Sequence, residues 1–294
     1  VAEAFAAFNL SALEGRPPFF FSLGTVGSKT AAEGGENAGI FDGTAGGRNE
    51  GFTIVEGPGR VGNSNGGKDT GGRKDIPYYR EMSFPSKKFD PELPTNGSTS
   101  WVLVGASRSG KSTLMKYLYS KYFKKCITMM FSMNHHADIY KDFGSKILCA
   151  DEYHPELIRE AHEINRLTDN AYDFCFIFDD YVDIKAKNDP EITRLLTLYR
   201  NSAQNSVFSS QGRTLISAVG RNSANYVCIF KQQTNLEWEN VIKEYLAMHL
   251  PPKMTMREMI EFCMAATRDH QFFMLDNVLG ECYISKLSSA QIRD

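Results

Sequence analysis

Eight consecutive residues, Gly105-Ala106-Ser107-Arg108-Ser109-Gly110-Lys111-Ser112, restrict what this chain can fold into more than any other stretch. They match Gly-x-x-x-x-Gly-Lys-Ser/Thr, a pattern whose meaning depends on its flanks. Trp101-Val102-Leu103-Val104 is an apolar run that ends at the first glycine. From Lys111 to Phe123, Leu114, Leu118 and Tyr122 fall on one face at helical spacing. The order is therefore strand, glycine loop, helix. Such a loop lets the backbone curl until its N–H groups converge at the positive end of the helix, where phosphate is favoured. Lys111 adds charge for the β- and γ-phosphates of a nucleotide, the Ser112 hydroxyl suits a Mg²⁺ ion, and Thr113 closes the binding set in the first helical turn. ATP with Mg²⁺ is the expected ligand, bound by Gly105 to Thr113 and hydrolysed there.

A loop of this kind works with acidic groups from a neighbouring strand. Tyr172 to Phe178 is aromatic-rich and nearly uncharged, as a strand buried on both faces in the sheet centre should be, and it ends in Asp179-Asp180. Asp179 stands where a Walker B aspartate would hold the metal. Asp180 is the candidate to orient or deprotonate the attacking water, because adjacent carboxylates at a strand end diverge towards different ligands. Gln211 ends the next predicted strand. The carboxyl ends of neighbouring parallel strands share one rim, so its amide is a candidate sensor of the γ-phosphate. Arg200, Arg213 and Arg221 are candidates to meet charge that develops in the transition state.

The rest of the chain divides by composition. Sixteen of its 24 glycines fall between Gly24 and Gly72, in stretches such as Asn63-Ser64-Asn65-Gly66-Gly67 that offer little to bury. Residues 1–77 are expected to be a loose, disordered region, and 78–294 one P-loop domain. Within that domain, strands are expected at Cys126 to Phe131, Lys146 to Ala150, Ser206 to Ser210 and Asn225 to Phe230. Helices are expected at Pro155 to Leu167, Pro190 to Ala203, Leu236 to Leu246 and Met256 to Ala266. Gln271 to Leu275 and Cys282 to Ile284 read as a closing β-hairpin at one sheet edge. Alternating strands and helices predict an α/β fold: a mostly parallel sheet with helices on both faces and a C-terminal β-hairpin.

Several classes fit poorly. The six cysteines are scattered without a Cys-x-x-Cys spacing, so zinc and disulfide frameworks are disfavoured and buried thiols in a reducing, intracellular compartment are expected. Phe19-Phe20-Phe21 is far shorter than the ~20 apolar residues of a membrane helix, so no membrane segment is expected. A net charge of -2 excludes a generally basic nucleic-acid coat but leaves room for local contacts, for which Lys185 and Lys187, just after the Asp pair, are candidates. Two other P-loop classes stay open: a switch acting on a protein partner, and a small-molecule kinase. A guanine-specific switch would carry Asn-Lys-x-Asp, which does not occur. A kinase would carry an arginine-rich lid, and Val182 to Asp189 holds lysines but no arginine.

From about residue 84 to 286 the chain resembles the poxvirus-like genome-packaging ATPases of the FtsK/HerA superfamily, which are also carried by giant viruses, virophages and polinton-type elements. The resemblance rests on Asp179-Asp180, on Tyr199-Arg200-Asn201 followed by Asn205 to Gln211, on Gly220-Arg221-Asn222-Ser223-Ala224-Asn225-Tyr226, and on Thr267 to Asp276. It departs at Tyr199 and Asn201, where such members commonly carry glycine and histidine. The resemblance implies a RecA- or FtsK/HerA-like fold and a homo-oligomeric ring of five or six subunits that moves double-stranded DNA into a capsid. It further implies a capsid or portal-vertex protein partner, and a place in the host cytoplasm, viral factory or virion. It also favours Arg221 as an arginine finger donated to a neighbouring subunit, joining Lys111, Asp180 and Gln211 in the expected catalytic set.

Overall fold

The apolar runs read from the sequence become the middle of one ten-stranded sheet, ordered β1-β2-β10-β9-β8-β3-β7-β6-β4-β5. The computed structural model describes residues 50–53, 83–91, 93, 98–133, 140, 143, 147–180, 189–198, 202–211 and 218–293. All of them belong to one compact unit, Asn49–Asp294. Strands β3 (Ser100–Val104), β4 (Ile127–Phe131), β5 (Ile147–Ala150), β6 (Phe174–Asp179), β7 (Gln204–Ser210) and β8 (Tyr226–Ile229) run parallel. Every residue of β3, β6, β7 and β8 is buried, so both faces of the sheet are covered there. That is why those segments lack a polar alternation. β6 lies between β7 and β4, inside the sheet as its composition required.

Helices α1 (Lys111–Leu118), α2 (Pro155–Leu167), α3 (Pro190–Leu198), α4 (Ala218–Ser223), α5 (Asn235–Val241), α6 (Met256–Ala266) and α7 (Ser289–Arg293) complete the unit. α1 and α5 each continue into a wider π-type turn, at Tyr119–Phe123 and Ile242–Leu246. α2 begins at its proline and buries Leu157, Ile158 and Ala161, the stripe its spacing predicts. α4 lies between the strands expected at Ser206 to Ser210 and Asn225 to Phe230, where no helix is expected, and α7 lies beyond the last expected element. Among the described residues no helix is long and apolar enough to cross a membrane.

The hairpin of β9 (Phe272–Asp276) and β10 (Glu281–Ser285) forms antiparallel pairs as expected, but it is not the sheet edge. β2 (Ser83–Ser86) pairs in parallel with β10 through Ile284↔Ser86, and β1 (Glu50–Thr53) pairs antiparallel with β2. The Lys87 N–H also donates to the Ile284 carbonyl at 3.0 Å. The correction has a simple cause: an open β10 would leave a row of backbone groups unpaired, and a short upstream segment covers it at Ile284. β1 lies within the glycine-rich stretch. The rest of residues 1–77 falls outside the described residues.

Two asparagines place β3, and hence the loop it feeds. Asn205 Oδ1 in β7 accepts from the Thr99 N–H at 2.8 Å, and its Nδ2 donates to the Phe174 carbonyl at 3.2 Å. On the other side Asn225 Oδ1 accepts from the Ser100 N–H at 2.9 Å. All of these groups are buried, where a donor without a partner costs ~1–3 kcal/mol. Asn205→Ala is therefore expected to lower stability by about 2 kcal/mol in urea unfolding. A loss under about 0.5 kcal/mol, the ordinary range for surface changes, would show that the amide does not hold β3.

Candidate active site

The loop after β3 is stapled to the ends of both neighbouring strands. The Gly105 N–H donates to the carbonyl of Ser210, the last residue of β7, at 3.1 Å, and the Ala106 N–H donates to the Lys231 carbonyl beyond β8 at 2.8 Å. This close approach demands glycine at 105, because a Cβ there would lie 2.6 Å from Phe230 Cβ. Gly110 has φ 109, and Arg108 takes φ 59, so the chain turns through left-handed backbone before α1 begins. No side chain caps α1 at Gly110. Its first N–H groups are left for an anion, as a phosphate cradle requires.

Lys111 is only 4% exposed. Its Nζ donates to the Gly105 and Ala106 carbonyls at 2.9 and 3.0 Å and stands 3.9 Å from Asp180 Oδ1. Burial pushes its pKa down, and the charges of Asp180 and then Asp179 pull it back up. Gln211, just past β7, donates through Nε2 to Asp180 Oδ2 at 3.2 Å. The structure thus brings together Lys111, Asp180 and Gln211, three of the four residues expected to be catalytic. Asp180 adopts φ 46, with its N–H bonded to the Ser209 carbonyl at 3.1 Å, so the turn out of β6 aims its carboxylate at the lysine.

Asp179 faces the other way from Phe178, as neighbours in a strand must. Phe131, Phe178 and Phe208 stack across β4, β6 and β7, with centroids 5.0 and 4.4 Å apart, and fix that end of β6. Ile177, on the same face as Asp179, packs in the cluster that holds Leu114 and Met115 of α1. Asp179 is therefore buried on the α1 side of the sheet, 3% exposed, where the Tyr140 hydroxyl donates to its Oδ2. Its pKa is pushed up to about 6, chiefly by burial; the Ser209 hydroxyl pulls it down without reaching hydrogen-bond geometry at Oδ1. Oδ1 of Asp179 and Oδ1 of Asp180 are buried without a hydrogen-bond partner. The unpartnered Asp179 oxygen below the glycine loop fits Mg²⁺, which is usually held by one or two carboxylates plus substrate phosphates, while that of Asp180 faces Lys111.

Arg221 lies in α4, and its side chain is outside the described residues, as are Arg200, Arg213, Lys185 and Lys187. Three contributors had no assigned role in the sequence. Tyr140, 39 positions away in sequence, reaches Asp179. His270, with φ 62, brings Nδ1 within 3.3 Å of the Ser109 carbonyl. The C-terminal residues Lys286, Leu287 and Ile292 line the same cavity as Ser107, Lys111 and Asp180, about 1000 Å³ in volume. No local pattern announces any of them.

The burial of Asp179 has a measurable cost. Its carboxyl titrates near 3.8 when unfolded and near 6 when folded, so the folded state keeps a proton that the unfolded chain releases between those values. Stability contributed by this group is present below pH 4 and is lost as pH rises to about 6. Asp179→Asn removes the charge, so at pH 7.5 without metal the variant should be more stable by up to about 3 kcal/mol, with the gap closing towards pH 4. Thermal unfolding in chelator across that range tests it; an equal gap at pH 4 and pH 7.5 would reject the electrostatic cause.

Comparison with known proteins supplies the family. The sequence profile described as poxvirus A32 protein matches residues 86–289. No curated protein matches the chain. Among solved structures, the genome packaging NTPase B204 from Sulfolobus turreted icosahedral virus 2, in complex with AMPPCP, is similar at 19% identity and TM-score 0.49, over 65% of this chain and 99% of that one. The pCW3 conjugation coupling protein TcpA with ATPgS is similar at 12% identity and TM-score 0.44, over 67% of this chain and 60% of that one. ATPases 2 and 3 of Thermomonospora curvata EccC are similar at 10% identity and TM-score 0.45, over 70% and 38%. The profile match spans well over half of the sequence and agrees with the resemblance carried by the Asp pair and the segments after it: this chain belongs to the poxvirus A32 protein family.

Proposed function

We propose that this chain is an ATP-hydrolysing motor that moves double-stranded DNA into a viral capsid. The observation that carries the reading is the convergence of Lys111, Asp180 and Gln211 below an uncapped glycine loop, in a member of the poxvirus A32 protein family. The loop from Gly105 to Thr113 holds the phosphates, through the N–H groups that are not already bonded to the strand ends. On binding, Lys111 exchanges its two carbonyl partners for β- and γ-phosphate oxygens. Ser112 and Asp179 would hold Mg²⁺, which supplies positive charge to the phosphates. Asp180 orients the attacking water and takes its proton, and Gln211 couples that carboxylate to the γ-phosphate. Arg221 meets the outward-facing charge of the transferring phosphoryl in a neighbouring subunit of a five- or six-membered ring. Lys185 and Lys187, next to Asp180 in sequence, grip DNA phosphates. A capsid or portal-vertex protein is the docking partner, and the protein works inside the infected cell.

The primary test is the ATPase rate with and without double-stranded DNA, together with the mass of the ATP-bound assembly. Stimulation that fades with salt, in a ring, is expected, because phosphate contacts release counterions; a DNA-indifferent monomer would sink the motor. Lys111→Ala should abolish turnover. Asp180→Asn should still bind MgATP but turn over ~10²- to 10⁴-fold slower. Asparagine tolerates the left-handed backbone at 180, so this variant isolates the charge. Turnover near the wild-type rate would remove Asp180 from the chemistry.

A finger supplied in trans is worth ~10³ to 10⁵ in rate, so Arg221→Ala should be nearly inactive. Mixing inactive Lys111→Ala subunits with inactive Arg221→Ala subunits should restore activity, since some interfaces then pair an intact loop with an intact finger. Failure to recover in rings shown by mass to be mixed would exclude Arg221.

A further inference from the structure

The cavity at the phosphate loop is larger than phosphates need, and its far wall comes from the end of the chain. At about 1000 Å³ it sits at the upper end of small-molecule sites. Beyond Thr113 it is lined by Phe272 of β9 and by Lys286, Leu287 and Ile292. Ile292 is 51% exposed, an apolar surface turned to a cavity whose other end is built for charge.

This wall is held firmly. α7 starts with a reciprocal cap: the Gln291 N–H donates to Ser288 Oγ at 3.3 Å, and the Ser288 N–H donates to Gln291 Oε1 at 2.9 Å. Gln291 Nε2 also donates to the Phe89 carbonyl at 2.7 Å and to the Tyr117 hydroxyl at 2.9 Å. Tyr117 belongs to α1, the helix whose N-terminus ends the phosphate loop. One rigid helix therefore fixes the distance between the cradle and Ile292. The strained turn at His270 locks the intervening rim to the Ser109 carbonyl.

We infer that the C-terminal segment Lys286 to Ile292 is the nucleoside subsite of this enzyme: the base of the bound nucleotide lies against Leu287 and Ile292, with Phe272 behind it. The inference rests on the reading of Gly105 to Thr113 as the phosphate site and adds what lies at the other end of the ligand. A flat heteroaromatic ring gains most of its binding here by covering apolar surface. A triphosphate without a nucleoside has no ring to lay against that wall.

Calorimetric titration of the full chain with ATP, supplied as a non-hydrolysable analogue, and with inorganic tripolyphosphate, both with Mg²⁺, separates the two ends. Ile292→Ser removes about half of a buried isoleucine's worth of contact, so the Kd for ATP should rise about fivefold while that for tripolyphosphate stays within twofold. Ile292 is half exposed, and an unchanged Tm would show that the fold is kept; Ile292→Ala, which shortens the same side chain without adding a hydroxyl, provides a second variant, expected to raise the ATP Kd and spare tripolyphosphate. An ATP Kd unaltered in both variants overturns the subsite, and so does an equal loss for both ligands, which would mean that the tail acts on the loop and not on the base. If wild-type protein bound neither ligand, the phosphate-site reading would fail first and take this inference with it.

Discussion

A buried ammonium decides how the rim of this sheet is arranged. Lys111 lies almost wholly out of water, and an unpaired charge there would be costly. The loop answers by curling so that two of its carbonyls face Nζ, and the turn after β6 answers by pointing Asp180 at the same atom. Gln211 is then drawn in through Asp180. Four chain segments meet because one cation must be satisfied. The carbonyls are neutral partners, so an anion would be a stronger one for the same ammonium.

The same rim stores strain. Arg108, Asp180 and His270 all take left-handed backbone and all line one cavity. Such conformations persist only where surrounding structure over-determines them, and that structure is visible. Gly105 and Ala106 are bonded to the ends of β7 and β8, the phenylalanine stack holds β6, and asparagines on both sides hold the start of β3. Asp179 adds an electrostatic cost of its own, since burial raises its pKa. Stability given up at the rim is offset by a sheet whose central strands are buried at every position.

The C-terminal end of the chain belongs to this arrangement and is not an appendage to it. Gln291 ties α7 to α1, and Ser285 Oγ donates to the Lys87 carbonyl at 2.9 Å, closing β10 against the segment after β2. The residues between them, Lys286 and Leu287, are thereby carried to the cavity that Lys111 and Asp180 also line.

The sequence by itself determined the phosphate loop, the position of Asp179 and Asp180, and most of the central strands. An apolar run buried on both faces has to end at a solvent-facing rim, and parallel strands put those ends together, so Asp180 and Gln211 could be assigned to one rim before any coordinates, though not to each other. The bounds of α2 were legible because Pro155 and a single apolar stripe encode a local period. Only the tertiary structure decided that β2 covers the hairpin, that Tyr140 meets Asp179, and that His270, Leu287 and Ile292 close the cavity. Ser83-Phe84-Pro85-Ser86 carries no alternation and becomes a strand because β10 and β1 supply its partners. Local periodicity records which side of an element is buried; it does not record which distant segment buries it, and that choice is made by packing and by the pairing of backbone groups across the sheet.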